Sequence, residues 1–207
     1  MYDLLKAFTV AAAVACAAPV FAQTATDDTT TETQETAPTQ RADGLATGTE
    51  LRKVGETYIL SEHGDWDLRC IRAPEGQKDV CQLYQLLEDQ NGNSVAEINM
   101  FNLPDDDELA AGATIVTPLE TLLTAQVTLS VDGGTAKIYP FTFCTPIGCF
   151  SRVGFTDGDV AAFKAGNEAQ IFIVPVQAPD QRVRLTVSLT GFTAGFDAVQ
   201  EVNQPSE

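Results

Sequence analysis

The stretch Val127-Thr128-Leu129-Ser130-Val131, followed by Asp132-Gly133-Gly134 and then by Ala136 to Cys144, decides the fold class. Apolar and polar residues alternate on both sides of a Gly-Gly turn, which is the period of a half-buried strand. Asp and Gly accept the positive φ that a tight hairpin requires. The pattern repeats upstream. Tyr58 to Leu60 opens a short strand, and Trp66 to Cys70 sets Trp66, Leu68 and Cys70 on one inward face. Val80 to Leu87 and Val95 to Leu103 flank the turn signal Asn91-Gly92-Asn93, and Ala113 to Val116 is a run ended by Pro118. Downstream come Cys149 to Phe155, Ala169 to Val176 and Arg182 to Leu189. Two short helices are expected. One is capped by Asp157, runs through Val160 to Phe163 and stops at Gly166; the other is a turn within Pro118 to Ala125. The expectation is an all-β, sandwich-like or barrel-like domain with one or two short helices, preceded by a disordered tail.

Outside that domain the chain reads as export signal and spacer. Met1 to Lys6, the apolar run Ala7 to Val20 and the small residue Ala22 before Gln23 form the layout of a secretory signal peptide, residues 1–22. The run is too short to span a bilayer, so the expected product is not transmembrane after cleavage. Lipid attachment at Cys16, after the partial lipobox Ala13-Val14-Ala15, is the alternative. Residues 23–52 form an acidic, Thr-rich linker that cannot bury enough apolar surface to offset its ordering entropy. It is either an inert spacer or a tether. Residues 53–200 form the β domain, and 201–207 a flexible C-terminus.

Lys and Arg number 12 against 29 Asp and Glu, a net charge of −17 in 207 residues. Removing the leader takes Lys6 and Asp3 and leaves that balance unchanged. Nucleic acid and polybasic membrane binding are excluded as partners, because both need clustered cations. The one histidine, His63, rules out a multi-His metal site.

Without Cys16, four cysteines remain: Cys70, Cys81, Cys144 and Cys149. An even count in an exported chain reads as disulfides. Three connectivities are open. Local pairing, Cys70–Cys81 and Cys144–Cys149, is preferred, because each pair brackets a turn and would pin a hairpin. The first closes a loop of about 12 residues, worth near 3 kcal/mol by the chain-entropy estimate. The spacings lack the C-x2-C knuckle of zinc ribbons and the C-x-x-C of redox dithiols.

An ordered set of motifs runs through the domain. It comprises Gly64-Asp65-Trp66-x-x-x-Cys70, then Cys81, Pro118-Leu119 and Val131-Asp132-Gly133-Gly134. Pro140-Phe141-x-x-Cys144-x-Pro146-x-Gly148-Cys149 and Leu189-x-Gly191-Phe192-x-x-Gly195-Phe196-Asp197-Ala198 complete it. This order resembles the invasion-associated locus B family of alphaproteobacterial exported proteins, over roughly Tyr58 to Val199. Gln126 departs from the pattern, standing where many members carry Gly before the Val127 strand. The resemblance implies a periplasmic, secreted or outer-membrane-associated protein, linked in some pathogens to entering host cells. It implies no catalytic residue and no cofactor.

Trp66 reads as a core anchor beside Cys70. Phe192 and Phe196 either cover one end of the sheet or form a partly exposed patch for a protein partner. Chemistry is sparse. Asp105-Asp106-Asp107-Glu108 lacks the spaced ligands and tight-turn Gly of a calcium loop. His63 could pair with Asp65 or Asp67, and no G-x-S-x-G occurs. The expected function is therefore non-catalytic: protein–protein contact in the envelope or on a host cell, with no metal. A carboxylate-dependent hydrolase and a carrier of small apolar ligands are the alternatives.

Overall fold

The computed structural model describes residues 52–103 and 108–204. The expected leader, Cys16, residues 23–51 of the linker and Asp105 to Asp107 lie outside the described residues. Strands β1 (Thr57–His63), β2 (Trp66–Ile71), β3 (Val80–Glu88), β4 (Ser94–Asn102) and β5 (Ala111–Thr117) come first. A 3-10 turn at Leu123–Ala125 leads into β6 (Val127–Val131), β7 (Lys137–Tyr139), β8 (Phe143–Thr145) and β9 (Gly148–Phe155). Helix α1 (Asp157–Ala165), β10 (Glu168–Ile173), β11 (Val183–Ser188) and helix α2 (Phe192–Val202) complete the order.

The strands make one antiparallel sheet, β7-β6-β10-β11-β3-β4-β5-β9-β8, with β2 and then β1 branching from β3. The sheet curls into a half-barrel. Chain connectivity shows why. Its two terminal strands, β7 and β8, are consecutive, and Pro140-Phe141-Thr142 alone joins them. Four residue steps reach at most about 14 Å, so the two edges must face each other. The sequence pattern had suggested one continuous alternating stretch from Ala136 to Cys144. It divides at Pro140, which has no N–H to give a ladder. Beyond it, Thr142 N donates to Phe150 O at 2.7 Å, so the chain has changed partners.

The concave face holds the core. Trp66, Leu68, Leu83, Ile98, Met100 and Ile115 are all at most 1% exposed. The two helices fill the hollow with aromatic rings in a chain: Phe155 to Phe163 at 5.1 Å, Phe163 to Phe192 at 5.4 Å, Phe192 to Trp66 at 5.4 Å and Phe192 to Phe196 at 5.6 Å. Such pairs add about 0.5–1.5 kcal/mol each beyond the area they bury. Phe192 and Phe196 are 0% and 1% exposed. The suggestion that they present a partner surface is therefore corrected: they are core residues of an amphipathic helix.

Helix α1 starts one residue earlier than the sequence suggested. Thr156 is its N-cap and shares a capping box with Asp159, and Gly166 is the C-cap. Helix α2 was not anticipated as a helix. It begins at Gly191, whose φ is +83° and whose added Cβ would lie 2.1 Å from His63 O. Only glycine fits there. Order also continues past residue 200. Asn203 Nδ2 donates to Cys81 O at 2.9 Å and to Asn102 Oδ1 at 3.1 Å, and its Oδ1 accepts from Cys81 N at 3.2 Å.

The family departure at Gln126 has a backbone meaning. Its φ is +60° and ψ 175°, a region that is close to glycine-only.

Candidate contact surface

The sheet divides at β3. One edge of β3 pairs with β4; the other pairs with β2 from Val80 to Tyr84 and with β11 only at Glu88. Between these contacts β2 and β11 diverge, and one side chain closes the fork. Gln85, 6% exposed, accepts from Ser188 N at 2.8 Å through Oε1. Its Nε2 donates to Ser188 O at 3.0 Å and to Asp65 O at 3.1 Å. Trp66 Nε1 donates to the same Ser188 O at 2.8 Å, and the Ser188 hydroxyl donates to the Asp65 carboxylate. A primary amide offers the same donor and acceptor pair as a peptide group. Gln85 thus supplies one more rung where the backbone ladder stops.

Outside that rung lies a cleft of about 500 Å³ lined by Asp65, Asp67, Arg69, Tyr84, Glu88 and Ser188, among others. Arg69 lies over the Tyr84 ring, 3.3 Å from its centroid, and bonds Asp67 at 2.9 Å. Burial pushes the Tyr84 phenol above its ordinary pKa and Glu97 adds to this, against Arg69. The hydroxyl therefore stays a donor at neutral pH. A second groove, of about 430 Å³, shares Leu86 with the first and continues over Val95, Val116, Pro118 and Ile147.

Strand register explains the character of this face. Tyr84, Asn99, Thr114 and Arg152 are successive cross-strand partners, and they form a polar row. Two residues along each strand, Leu86, Glu97, Val116, Phe150 and Phe143 form a second row, apolar except at Glu97. Phe143 stacks on Phe150 at 4.8 Å. Within the row Leu86 is 51% and Phe143 44% exposed, Glu97 and Phe150 are half-buried and Val116 is buried; Ile147, beside Val116 in the second groove, is 79% exposed. The row crosses five strands, about 19 Å at the usual strand spacing. Solvent faces of antiparallel sheets are ordinarily polar, and the exposed apolar side chains of Leu86, Phe143 and Ile147 depart from that pattern.

The cysteines stand in register across strand pairs. Cys70 of β2 is bonded to Cys81 of β3, and Cys144 of β8 to Cys149 of β9. The first bridge is buried; in the second Cys144 is exposed and Cys149 buried. Asp79 secures the first hairpin: it accepts from Tyr58 Oη at 2.6 Å and from Ala73 N at 2.8 Å. Those bonds, that of Tyr58 foremost, hold its carboxyl below the usual range.

His63 is not joined to Asp65 or Asp67 by a hydrogen bond; its Nε2 lies 2.9 Å from Ser61 Oγ. Neither residue lines a cleft described above. Among the described residues, no group of three or more His, Cys, Asp or Glu is placed to hold a metal, and no helix is long and apolar enough to cross a membrane. Sequence reading missed Gln85 and the outer apolar row. The signals were there: Gln85 is the one amide between Leu83 and Leu87 on an inward face, and Leu86 and Phe143 occupy outward positions of their strands.

Comparison with known proteins agrees with this architecture. Two curated proteins, invasion protein B homologs of Brucella abortus (strain 2308) and of Brucella abortus biovar 1 (strain 9-941), are each 23% identical to the chain over 150 residues, covering 72% of this chain and 84% of theirs. The crystal structure of invasion associated protein B from Bartonella henselae shares the fold, with a TM-score of 0.58 and 23% identity over 68% of this chain and 94% of that one. The family model of the invasion associated locus B (IalB) protein matches residues 66–200. That match spans both disulfides, the forked strand and helix α2 up to residue 200, and the chain belongs to the invasion associated locus B family.

Proposed function

We propose that the domain is a non-catalytic contact module of the periplasm or cell exterior, docking another protein on the outer face of its sheet. The apolar row from Leu86 to Phe143 carries this reading. Its surroundings indicate the partner's chemistry. Asp65, Asp67, Glu88 and Glu97 border the row; of the nearby cations, Arg69 is already paired with Asp67, and Arg152 lies in the adjoining polar row. The complementary surface is an apolar ridge flanked by Lys or Arg. Tyr84 and Arg69, stacked and fixed, are residue types that anchor interfaces. Two cross-strand disulfides keep the face rigid, which lowers the ordering cost of binding.

The names of the Brucella and Bartonella relatives speak of invasion. In a pathogen the same face would serve in entering host cells; elsewhere it would serve envelope assembly. The hydrolase alternative is less well supported. A general acid needs a raised carboxyl pKa, whereas the displaced carboxyls, Asp79, Asp89, Asp132 and Asp159, all move down.

The test is photo-crosslinking in intact cells from a benzophenone amino acid placed at Leu86, Phe143 or Ile147, with exposed Gln181 as control. The expected result is one discrete adduct common to the first three positions, absent from Gln181 and lost in Leu86→Glu. Adducts no stronger than the control, or turnover of a cell-wall substrate by the purified protein, would overturn the reading.

A further inference from the structure

The limb of the sheet on the other side of the fork, β6-β10-β11, has an outward face of its own. Register sets Thr128, Phe172 and Arg184 side by side on it, opposite in direction to buried Leu129, Ile171 and Leu185. One row on, the same register brings Val174 beside Arg182. Over these two rows lies a pocket of about 260 Å³, lined on the sheet side by Thr128, Phe172, Val174 and Arg182 and on the loop side by Pro179 and Asp180. Backbone bonds fix that loop: Leu122 N donates to Val174 O at 2.7 Å, Ala178 N to Pro175 O at 3.2 Å and Gln181 N to Ala178 O at 3.0 Å. Phe172 is half-buried, and Arg182 and Arg184 are exposed, so a molecule in the pocket meets both ring and guanidinium.

Most cations of the described residues are engaged. Arg69, Arg72, Lys137 and Lys164 are ion-paired, Arg52 lies over the Tyr58 ring, and Lys78 Nζ donates to Gln204 O. Arg182 and Arg184, two residues apart on one strand face, make no ion pair among the described residues, and Asp180 at the rim is paired with neither. The net charge of −17 repels anions from afar. Such repulsion is largely screened beyond about 8 Å at physiological ionic strength, so the two guanidiniums set the sign within the pocket. A guanidinium fork matches the two oxygens of a carboxylate, and Phe172 with Val174 suits an apolar body. A cavity of about 150 Å³ holds benzene; this one has room for a single ring and its acid group.

We propose that this pocket binds a small carboxylate with a single-ring apolar body, the carboxylate on the Arg182 guanidinium with Arg184 beside it, and the ring against Phe172 and Val174. The site lies on the other limb of the sheet from the docking row and needs no protein partner.

The probes are phenylacetate, its neutral analogue phenylacetamide, and acetate, which lacks the ring. Each is titrated into isotope-labelled, fully oxidised protein and followed by amide chemical shifts. The expected shifts centre on Thr128, Phe172 and Arg182. Phenylacetate should bind about three- to tenfold more tightly than phenylacetamide, the span of one or two exposed ion pairs, and more tightly than acetate. Arg182→Gln should erase the preference for the charged probe and leave phenylacetamide affinity unchanged. Arg182 is exposed and unpaired, so its loss should not impair folding. Arg152→Gln, which removes an equal charge from the other limb of the sheet, should leave the preference intact. No shifts at these amides at millimolar phenylacetate, acetate binding as tightly as phenylacetate, a preference that survives in Arg182→Gln, or one that falls equally in Arg152→Gln would overturn the proposal.

Discussion

Replacing Gln85 by Leu keeps the side-chain size and removes the amide that closes the fork in the sheet. Three hydrogen bonds disappear: Ser188 N to Oε1 at 2.8 Å, and Nε2 to Ser188 O and Asp65 O at 3.0 and 3.1 Å. The consequences differ by atom. Ser188 O keeps its bond from Trp66 Nε1. Asp65 belongs to the lining of an open cleft, where water can replace the lost donor. Ser188 N is left without its acceptor, at a cost of about 1–3 kcal/mol. Adding about 0.5–1 kcal/mol for the weakened carbonyl partners gives a loss of about 1.5–4 kcal/mol. Urea unfolding of the oxidised protein measures it, with Leu86→Gln on the exposed face of the same strand as control, expected within about 0.5 kcal/mol of the parent. If Gln85→Leu also stays within that band, the amide does not hold β2 and β11 together and the account of the fork is wrong.

Four further outcomes are expected. Gln126→Gly should raise stability by about 1 kcal/mol, because a φ of +60° with ψ 175° strains any side chain; a loss measured by thermal unfolding would refute this. Gly191→Ala should cost more than about 2 kcal/mol and Gly92→Ala only about 1 kcal/mol, since both have positive φ but only Gly191 has a carbonyl 2.1 Å from the added carbon; equal losses in paired denaturation curves would contradict that difference. Under graded reductant, mass mapping should find Cys144–Cys149 opening before Cys70–Cys81, as Cys144 is exposed and Cys70 and Cys81 are 0% and 1% exposed; the opposite order would count against it. Asp89 is held at about 2 by Asn93 and Asn91, below the ordinary 3.8. Its folded pKa is lowered, so its contribution is complete above the ordinary value and lost as pH falls from about 4 to about 2. Urea midpoints of the parent should therefore fall toward those of Asp89→Asn across that window, and parallel curves would exclude the effect.

Strands were legible wherever alternation met a one-sided core. Val127–Val131 matches its sequence reading residue for residue, and Trp66, Leu68 and Cys70 face inward as their spacing implied. Alternation misled across Pro140, because inward-outward periodicity does not reveal which strand lies alongside. Helix α2 escaped because Gly191, Gly195 and two Phe residues look like sheet-end furniture in sequence. Only the tertiary hollow gives their spacing of four a helical meaning, stacking Phe192 on Phe196. The fork and the outer row were hidden for a similar reason. Gln85 and Ser188 are far apart in the chain, and the row exists only once four registers are known.

The disulfides join nearest neighbours, with separations of 11 and 5 residues. A chain with its leader removed that emerges amino end first would offer each sulfur a single companion in turn. Cys81 follows Cys70 while no other thiol has appeared, and Cys149 follows Cys144 after the earlier couple has been sealed. Such a molecule needs an electron acceptor as it matures, and pairing in the order of emergence would leave little for a shuffling enzyme to sort.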